Sequence, residues 1–440
     1  MTDSPTLPHA SRRRVLKGLA ALAAIQIVPR HVIGRGQTPP SEQLTKAVIG
    51  CGSMAHAHLF DYPGRLLAIC DVDRNHLNNR LNQCRERGWD EVEGYADYRE
   101  MIARDDVDIV HIVTPPHWHA LQAVAAAKAG KDIWCEKPMT RTIAEGIGLQ
   151  RVVKEQKRIF RVNTWFRFQG RYYDIYKPSR EIRRAVKAGL FGGPVKFHIG
   201  SNVVGGGWKL SQWSGRTELE PQEVPEHLDY NFWLGPAPEK PYHPHRVHAS
   251  FRGYWDYDGG GLGDMGQHFL DPAQYILGKD DTSPVEVEVD TQPQHHDAVL
   301  PWRKVVLRYE DGTEIHCWGD NSGEPEDLPV IEGPEGKLFS GWRSDITGFR
   351  EKADALDAIE EDLGETDFHR AVRERIPFSL NEDNGHRSTN LINIAKCALQ
   401  LGTSLRFDPV EQVFVGENAE AANALRNQPM REGFTAQTMT

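Results

Sequence analysis

Four short stretches carry residues whose type and spacing suit chemistry. Gly50-Cys51-Gly52-Ser53-Met54-Ala55 is a GxGxxA turn placed directly after an apolar run at 46–50. Gly50 permits the tight turn and Gly52 lets the backbone approach a pyrophosphate. Ala55 allows close packing of the next helix, so Ser53 and Met54 open a helix whose N-terminus can face phosphates. Asp71 follows 71 − 50 = 21 residues on, at the end of a second apolar run. That is the spacing of a carboxylate that accepts both ribose hydroxyls of a dinucleotide. Such a carboxylate repels a 2′-phosphate, which favours NAD; Arg74 leaves NADP open.

The other three stretches lie further along. Thr114-Pro115-Pro116-His117-Trp118-His119 follows the apolar run 108–113, and Glu136-Lys137-Pro138 follows 132–135. Ligands of doubly wound sheets sit at the carboxyl ends of the strands, so both turns should border a nicotinamide. In Gly259-Gly260-Gly261-Leu262-Gly263-Asp264-Met265-Gly266-Gln267-His268, Asp264 and His268 stand four apart and can share one helix face.

The elements that must position these residues alternate from Leu44 onward. Strands are expected at 46–50, 65–71, 108–113 and 132–135, and helices at 53–60, 76–87, 98–103, 118–129 and 143–157. This βα alternation predicts a doubly wound parallel sheet, an α/β Rossmann domain over 44–163. Beyond Asn163 come a helix at 182–188, a strand at 195–203 and a long loop rich in Gly, Trp and Pro. The alternating runs 305–309 and 313–318 flank Asp311-Gly312, a strong hairpin signal. They predict an α+β C-terminal domain over 164–408 with an open, mainly antiparallel sheet. Residues 341–365 match no motif, nor does an extension over 409–440.

In order and spacing these motifs, with Gly385-His386-Arg387-Ser388 ahead of a final helix, resemble the Gfo/Idh/MocA family. The resemblance spans nearly all of the chain beyond the N-terminal segment. It implies a catalytic set of Lys137, Asp264 and His268 acting on a secondary hydroxyl of a sugar, glycoside or cyclitol. His268, an imidazole titrating near neutrality, would accept the hydroxyl proton while hydride leaves for NAD; Lys137 would orient the oxygen and Asp264 would fix the charge or tautomer of His268. Asn163, Arg167 and Tyr257 stand where substrate hydroxyls are expected, and Trp208, Trp213 and Trp255 offer stacking faces for a sugar. The family also implies a homo-oligomer, a dimer or tetramer joined through the C-terminal sheet.

Bulk properties narrow the partners. A net charge of −10 and a pI of about 6.0 give no case for nucleic acid. Six cysteines without a CxxC pair point to neither a zinc site nor a disulfide framework. The tract Tyr242-His243-Pro244-His245-Arg246-Val247-His248 looks metal-like but lacks a recognisable pattern of Asp, Glu or Cys, so no metal is expected. His111, within an apolar strand, reads as a core histidine.

At the N-terminus, Ser11-Arg12-Arg13-Arg14-Val15-Leu16-Lys17 precedes a short apolar run at 18–28, too short for a stable membrane span. It resembles a twin-arginine signal, with Val15 where that pattern prefers Phe, and assigns 1–36 to signal and linker. Ala21-Leu22-Ala23 is the nearest small-x-small cleavage candidate. Export to the periplasm, where free nicotinamide is scarce, favours tightly held NAD recycled within each turnover. The alternatives are NAD-dependent glycoside cleavage by oxidation, elimination and reduction, and a non-catalytic sugar-binding protein. Retention of Lys137, Asp264 and His268 together disfavours the latter.

Overall fold

The computed structural model describes residues 43–168, 171–172, 175–201, 208, 213–359 and 363–434. The twin-arginine-like stretch lies outside the described residues, and among those described no helix is long and apolar enough to cross a membrane.

The first sheet is parallel throughout. Its strands are β1 (Thr45–Ile49), β2 (Arg65–Cys70), β3 (Glu93–Tyr95), β4 (Ile109–Ile112), β5 (Asp132–Glu136) and β6 (Phe160–Asn163), in the order β3-β2-β1-β4-β5-β6. Every residue of β4 and β5 is buried, as expected of strands covered on both faces. The order reverses between β1 and β4, which opens a crevice at their carboxyl ends.

Helix α1 (Arg74–Glu86) is capped by Asp73, whose side chain accepts the N–H groups of Asn75 and His76. The helices α2 (Tyr98–Ile102), α3 (His119–Lys128) and α4 (Ile143–Glu155) follow, the last begun by a Thr142/Glu145 capping box. The helix expected at 53–60 is a π-helical segment at Ala57–Asp61, closed by the Tyr62 N–H donating to the Ala57 carbonyl. Pro63 has no N–H to offer the His58 carbonyl. Buried Lys46 supplies the donor instead, its Nζ lying 2.7 Å from His58 O and 2.6 Å from Tyr62 O.

The second sheet has nine strands. They are β7 (Lys196–Ile199), β8 (Glu286–Thr291), β9 (Trp302–Arg308), β10 (Glu314–Trp318), β11 (Ile331–Gly333), β12 (Gly336–Phe339), β13 (Arg343–Ser344), β14 (Leu405–Asp408) and β15 (Val413–Val415), ordered β13-β12-β11-β7-β10-β9-β8-β14-β15. Only β7 and β10 run parallel among the pairs in this sheet. The expected hairpin is β9–β10, turned at Asp311-Gly312 with Gly312 at φ +85°.

Further helices are α5 (Ser179–Lys187), α6 (Tyr230–Leu234), α7 (Gly260–Ile276), α8 (Glu382–Leu401) and α9 (Ala419–Arg426). All of α7 is buried, because its glycines let neighbours close in. A Cβ on Gly263 would stand 2.5 Å from Asp258 Oδ1 and 2.8 Å from the Asp258 backbone. Gly385-His386-Arg387-Ser388 lies inside α8 rather than before it, since Asn381, four residues ahead of Gly385, caps that helix, and α8 is followed by α9. α8 packs on both α7 and α4, joining the two sheets. The segment after Pro409 supplies edge strand β15 and α9, and Gln412 Oε1 meets His386 Nε2 at 2.6 Å.

Candidate active site

A cavity of about 320 Å³ occupies the crevice between β1 and β4. The β1 turn contributes Gly50, Gly52, Ser53 and Met54; β2 ends on it with Asp71, and the β4 turn adds Thr114, Pro115 and Trp118. Glu136 and Lys137 reach it from β5, Asp264 from α7 and Arg252 from the segment before α7. Phe232 and Trp233 of α6, with His248, Ala249 and Phe251, form the facing wall.

The turn fits a dinucleotide. Gly50 has φ +97°, and a Cβ there would lie 2.6 Å from the Val113 carbonyl oxygen, so only glycine brings β1 against β4. At Gly52 a Cβ would meet nothing within 4 Å, so the backbone faces open space where a pyrophosphate can approach. The Asp71 carboxylate is aimed by two backbone donors, Cys51 N at 2.7 Å from Oδ2 and Asp73 N at 2.8 Å from Oδ1. Its remaining lone pairs are available to a ribose diol. Arg74, the residue that left NADP open, donates to the Glu226 carbonyl.

At the other end of the cavity three charges interlock. Lys137 Nζ donates to Asp264 Oδ1 at 2.9 Å and to the Asp264 carbonyl at 2.7 Å, while Arg252 Nε and Trp213 Nε1 each lie 2.9 Å from Asp264 Oδ2. Burial would raise the Asp264 carboxyl, but the charges of Lys137 and Arg252 outweigh it and hold the group ionised, well below the usual range. Both oxygens are thus turned to cations and an indole. No bond joins them to His268, so Asp264 fixes Lys137 rather than the histidine tautomer.

His268 sits one turn further along α7, 1% exposed, with its ring stacked on Trp165 at a centroid distance of 3.8 Å. Burial first, then the Lys137 charge, pushes its pKa down to about 3. This corrects the expectation of an imidazole titrating near neutrality: the ring is neutral at physiological pH. Its Nδ1 is buried without a protein partner among the described residues.

Glu136 and His119 brace the two turns. Glu136 Oε1 accepts from Asn163 Nδ2 at 2.6 Å and lies 2.9 Å from His58 Nε2, and His58 Nδ1 is 2.9 Å from His111 Nδ1. Burial favours the neutral acid, but His58 and Lys137 hold the Glu136 pKa down to about 2. His119 is fully buried, with ring nitrogens 2.7 Å from the carbonyl oxygens of Thr114 and Pro138. It spans the turns without lining the cavity.

Several residues expected at the site stand elsewhere. Ala55 is buried in the core beneath the turn. His117 is enclosed by Trp233 and Tyr257, with Nε2 3.0 Å from the Trp233 carbonyl. Arg167 is locked to Asp271 and Asp280 at 2.7 Å each, so it is an internal ion pair rather than a substrate contact. Tyr257 is wholly buried among aromatic rings, and Trp255 is buried with Nε1 donating to the His295 carbonyl. Asn163 acts on Glu136 rather than on the cavity. Trp208 donates to the Trp318 carbonyl, away from the cavity.

Arg252, Trp165 and His58 escaped the sequence reading. Trp165 had a usable signal, for it follows the carboxyl end of β6, a strand the periodicity did not reveal. Arg252 and His58 belong to no motif, and only tertiary packing brings them in.

A parallel sheet with a GxG turn on a switch-point cavity, backed by a mixed sheet, defines a two-part dinucleotide-binding α/β protein. The chain belongs to the Gfo/Idh/MocA oxidoreductase family: residues 44–164 match its "NAD-binding Rossmann fold" and residues 175–436 its "C-terminal alpha/beta domain". Among curated relatives, inositol 2-dehydrogenase 1 of Saccharopolyspora erythraea is 31% identical over 157 residues, 34% of this chain and 43% of the relative. Levoglucosan dehydrogenase of Pseudarthrobacter phenanthrenivorans is 27% identical over 247 residues, 54% of this chain and 52% of the relative. Glycosyl hydrolase family 109 protein 2 of Shewanella sp. (strain ANA-3) is 35% identical over 115 residues, 24% and 25% of the two chains. The matches span about half the length of these relatives or less. In fold the chain is similar to the WlbA dehydrogenase of Bordetella pertussis, solved with NADH and UDP-GlcNAcA, with a TM-score of 0.54 and 17% identity over 83% of this chain and 99% of that one.

Proposed function

We propose that the protein oxidises a secondary hydroxyl of a sugar, glycoside or cyclitol, using NAD held in the switch-point cavity and recycled within each turnover. The observation that carries this reading is the Lys137–Asp264–Arg252 cluster at the inner end of the cavity, with neutral His268 one helical turn away. When bound, NAD supplies the hydride acceptor. Lys137, fixed by Asp264, donates to the substrate oxygen and steadies the negative charge that develops there. His268, neutral at the outset because burial disfavours the imidazolium, takes the hydroxyl proton on a ring nitrogen, and the ionised Glu136 and Asp264 nearby offset the charge it gains. The carbon then holds a carbonyl, and a second, carbonyl-bearing sugar that accepts the hydride and the His268 proton closes the turnover with NAD restored. The exposed face of Trp165, which is 43% exposed and stacked on His268, offers a sugar an apolar platform.

Retention of NAD is supported by the wall of α6 and residues 248–251, which covers the cavity opposite the Rossmann turns. It also accords with export by the twin-arginine route to the periplasm, which we infer from residues 11–28 of the sequence. Self-association as a dimer or tetramer through the second sheet belongs to the same reading. A redox-neutral glycoside cleavage is the second reading, favoured by the similarity to family 109 proteins.

Panels of C-deuterated hexoses, their glycosides and inositols test the chemistry. Wild-type protein given one such compound together with an unlabelled carbonyl sugar should move deuterium to the newly formed carbinol carbon for at least one pair, and H268A should retain cofactor without moving label. No transfer with any pair would reject the reading, and transfer in H268A equal to wild type would remove His268 from it.

A further inference from the structure

At the outer end of the cavity, away from Lys137, a second cluster joins the β2–α1 turn to the segment before α7. Asp73 caps α1 through Oδ1, which accepts Asn75 N at 2.7 Å and His76 N at 3.3 Å. Its other oxygen, Oδ2, faces imidazoles from far along the chain, His248 Nε2 at 3.2 Å and His227 Nε2 at 3.6 Å. The rings of His76 and His248 stand 4.5 Å apart between centroids. One ligand atom from each of Asp73, His76 and His248 lies within 4.8 Å of the other two.

We propose that Asp73, His76 and His248 form a binding site for a borderline divalent cation of the zinc type. One carboxylate and two imidazoles are a donor set that suits such a metal, with a further position for water. Two ligands bound at about 2.0–2.1 Å in tetrahedral geometry stand roughly 3.4 Å apart, close to the Asp73–His248 separation. The carboxylate is buried, while the side chains of His76 and His248 are 33% and 37% exposed, so the site has both a preformed anchor and an entry path. Asp71, whose Oδ2 lies 3.9 Å from His76 Nδ1, adds negative charge.

Backbone bonds tie the β2–α1 turn, which carries Asp73 and His76, to residues 227–229: Arg74 N donates to the His227 carbonyl at 2.9 Å and Asp229 N to the Val72 carbonyl at 3.1 Å. The 242–248 tract has no acidic partner nearby in sequence because Asp73 lies far upstream, at the N-cap of α1. The site does not depend on the chemistry proposed at Lys137.

The test uses full-length protein without a polyhistidine tag, stripped with EDTA, desalted and titrated with ZnCl₂ against a chromophoric chelator. The expected result is one tight equivalent of Zn²⁺, weakened at least tenfold in H76A and in H248A and unchanged in a H295A/H296A double variant. Zn²⁺ should also raise the melting temperature of wild type more than that of H248A. Absence of a stoichiometric site in wild type, or tight binding that survives both H76A and H248A, would overturn the proposal. The wild-type titration decides even where a variant fails to fold.

Discussion

Asp264 and His268 share a helix face one turn apart, yet their surroundings drive them to opposite states. Two cations keep the carboxylate charged, and burial keeps the imidazole neutral. H268A should therefore lower kcat by about 10²- to 10⁴-fold with cofactor still bound, as removal of a general base does; steady-state kinetics beside cofactor content checks this. Arg167 is the contrasting case. R167M leaves the Asp271 carboxylate buried without its cation, so denaturant titration should show a loss of about 3–5 kcal/mol. If Arg167 instead bound substrate, KM would rise with stability intact. The buried histidines also set an acid limit. His117 and His268 are held at about 3 by burial, against 6.5 for an ordinary imidazole. Between those values the unfolded chain binds protons that the native chain refuses, so stability is intact above about 6.5 and is lost progressively as the pH falls towards 3. Melting temperature against pH should show this slope, shallower in H117Q. Gly50, Asp71 and Lys137 were legible because a local turn or a strand end dictates their types. Arg252 and the role of Asp264 were not, since a charge pair between distant segments leaves no periodicity.

Among the elements, the wall over the cavity depends on the end of the chain. Gln428 Nε2 donates to Asp256 Oδ1 at 2.7 Å, Arg431 donates to the Gly235 carbonyl and to Asn231, and Phe434 packs its ring on Trp118. These contacts pin α6, whose Trp233 carbonyl in turn receives Trp118 Nε1 at 2.9 Å. Each such bond contributes about 1 kcal/mol net. Truncation after Asn427 should speed cofactor release by about tenfold or more, read by the NAD remaining after gel filtration, while α9 and the second sheet keep the far-UV CD unchanged. Release at the wild-type rate would show that the tail does not brace the wall. Fully buried strands such as β4 and β5 and the Asp-Gly hairpin were readable from pattern alone. Short β3, mixed β6 and the tail were not, because they pair with distant partners rather than displaying a pattern of their own.

For the whole molecule, the two sheets meet through α8, and the cavity draws its walls from both the Rossmann strands and the segment before α7. A cofactor held between these walls would suit the proposed recycling of NAD. The six cysteines are all buried and free. Fold class was legible from the βα alternation, whereas the depth of the cavity was not, since its outer wall comes from a loop-rich stretch. The most direct test of bound and recycled NAD is to denature purified protein and identify the released nicotinamide by absorbance and mass, before and after incubation with sugars and glycosides. The account predicts close to one equivalent of NAD, with no net NADH accumulating while a sugar is converted. Protein that is empty as isolated and reduces added NAD with a single sugar would contradict it.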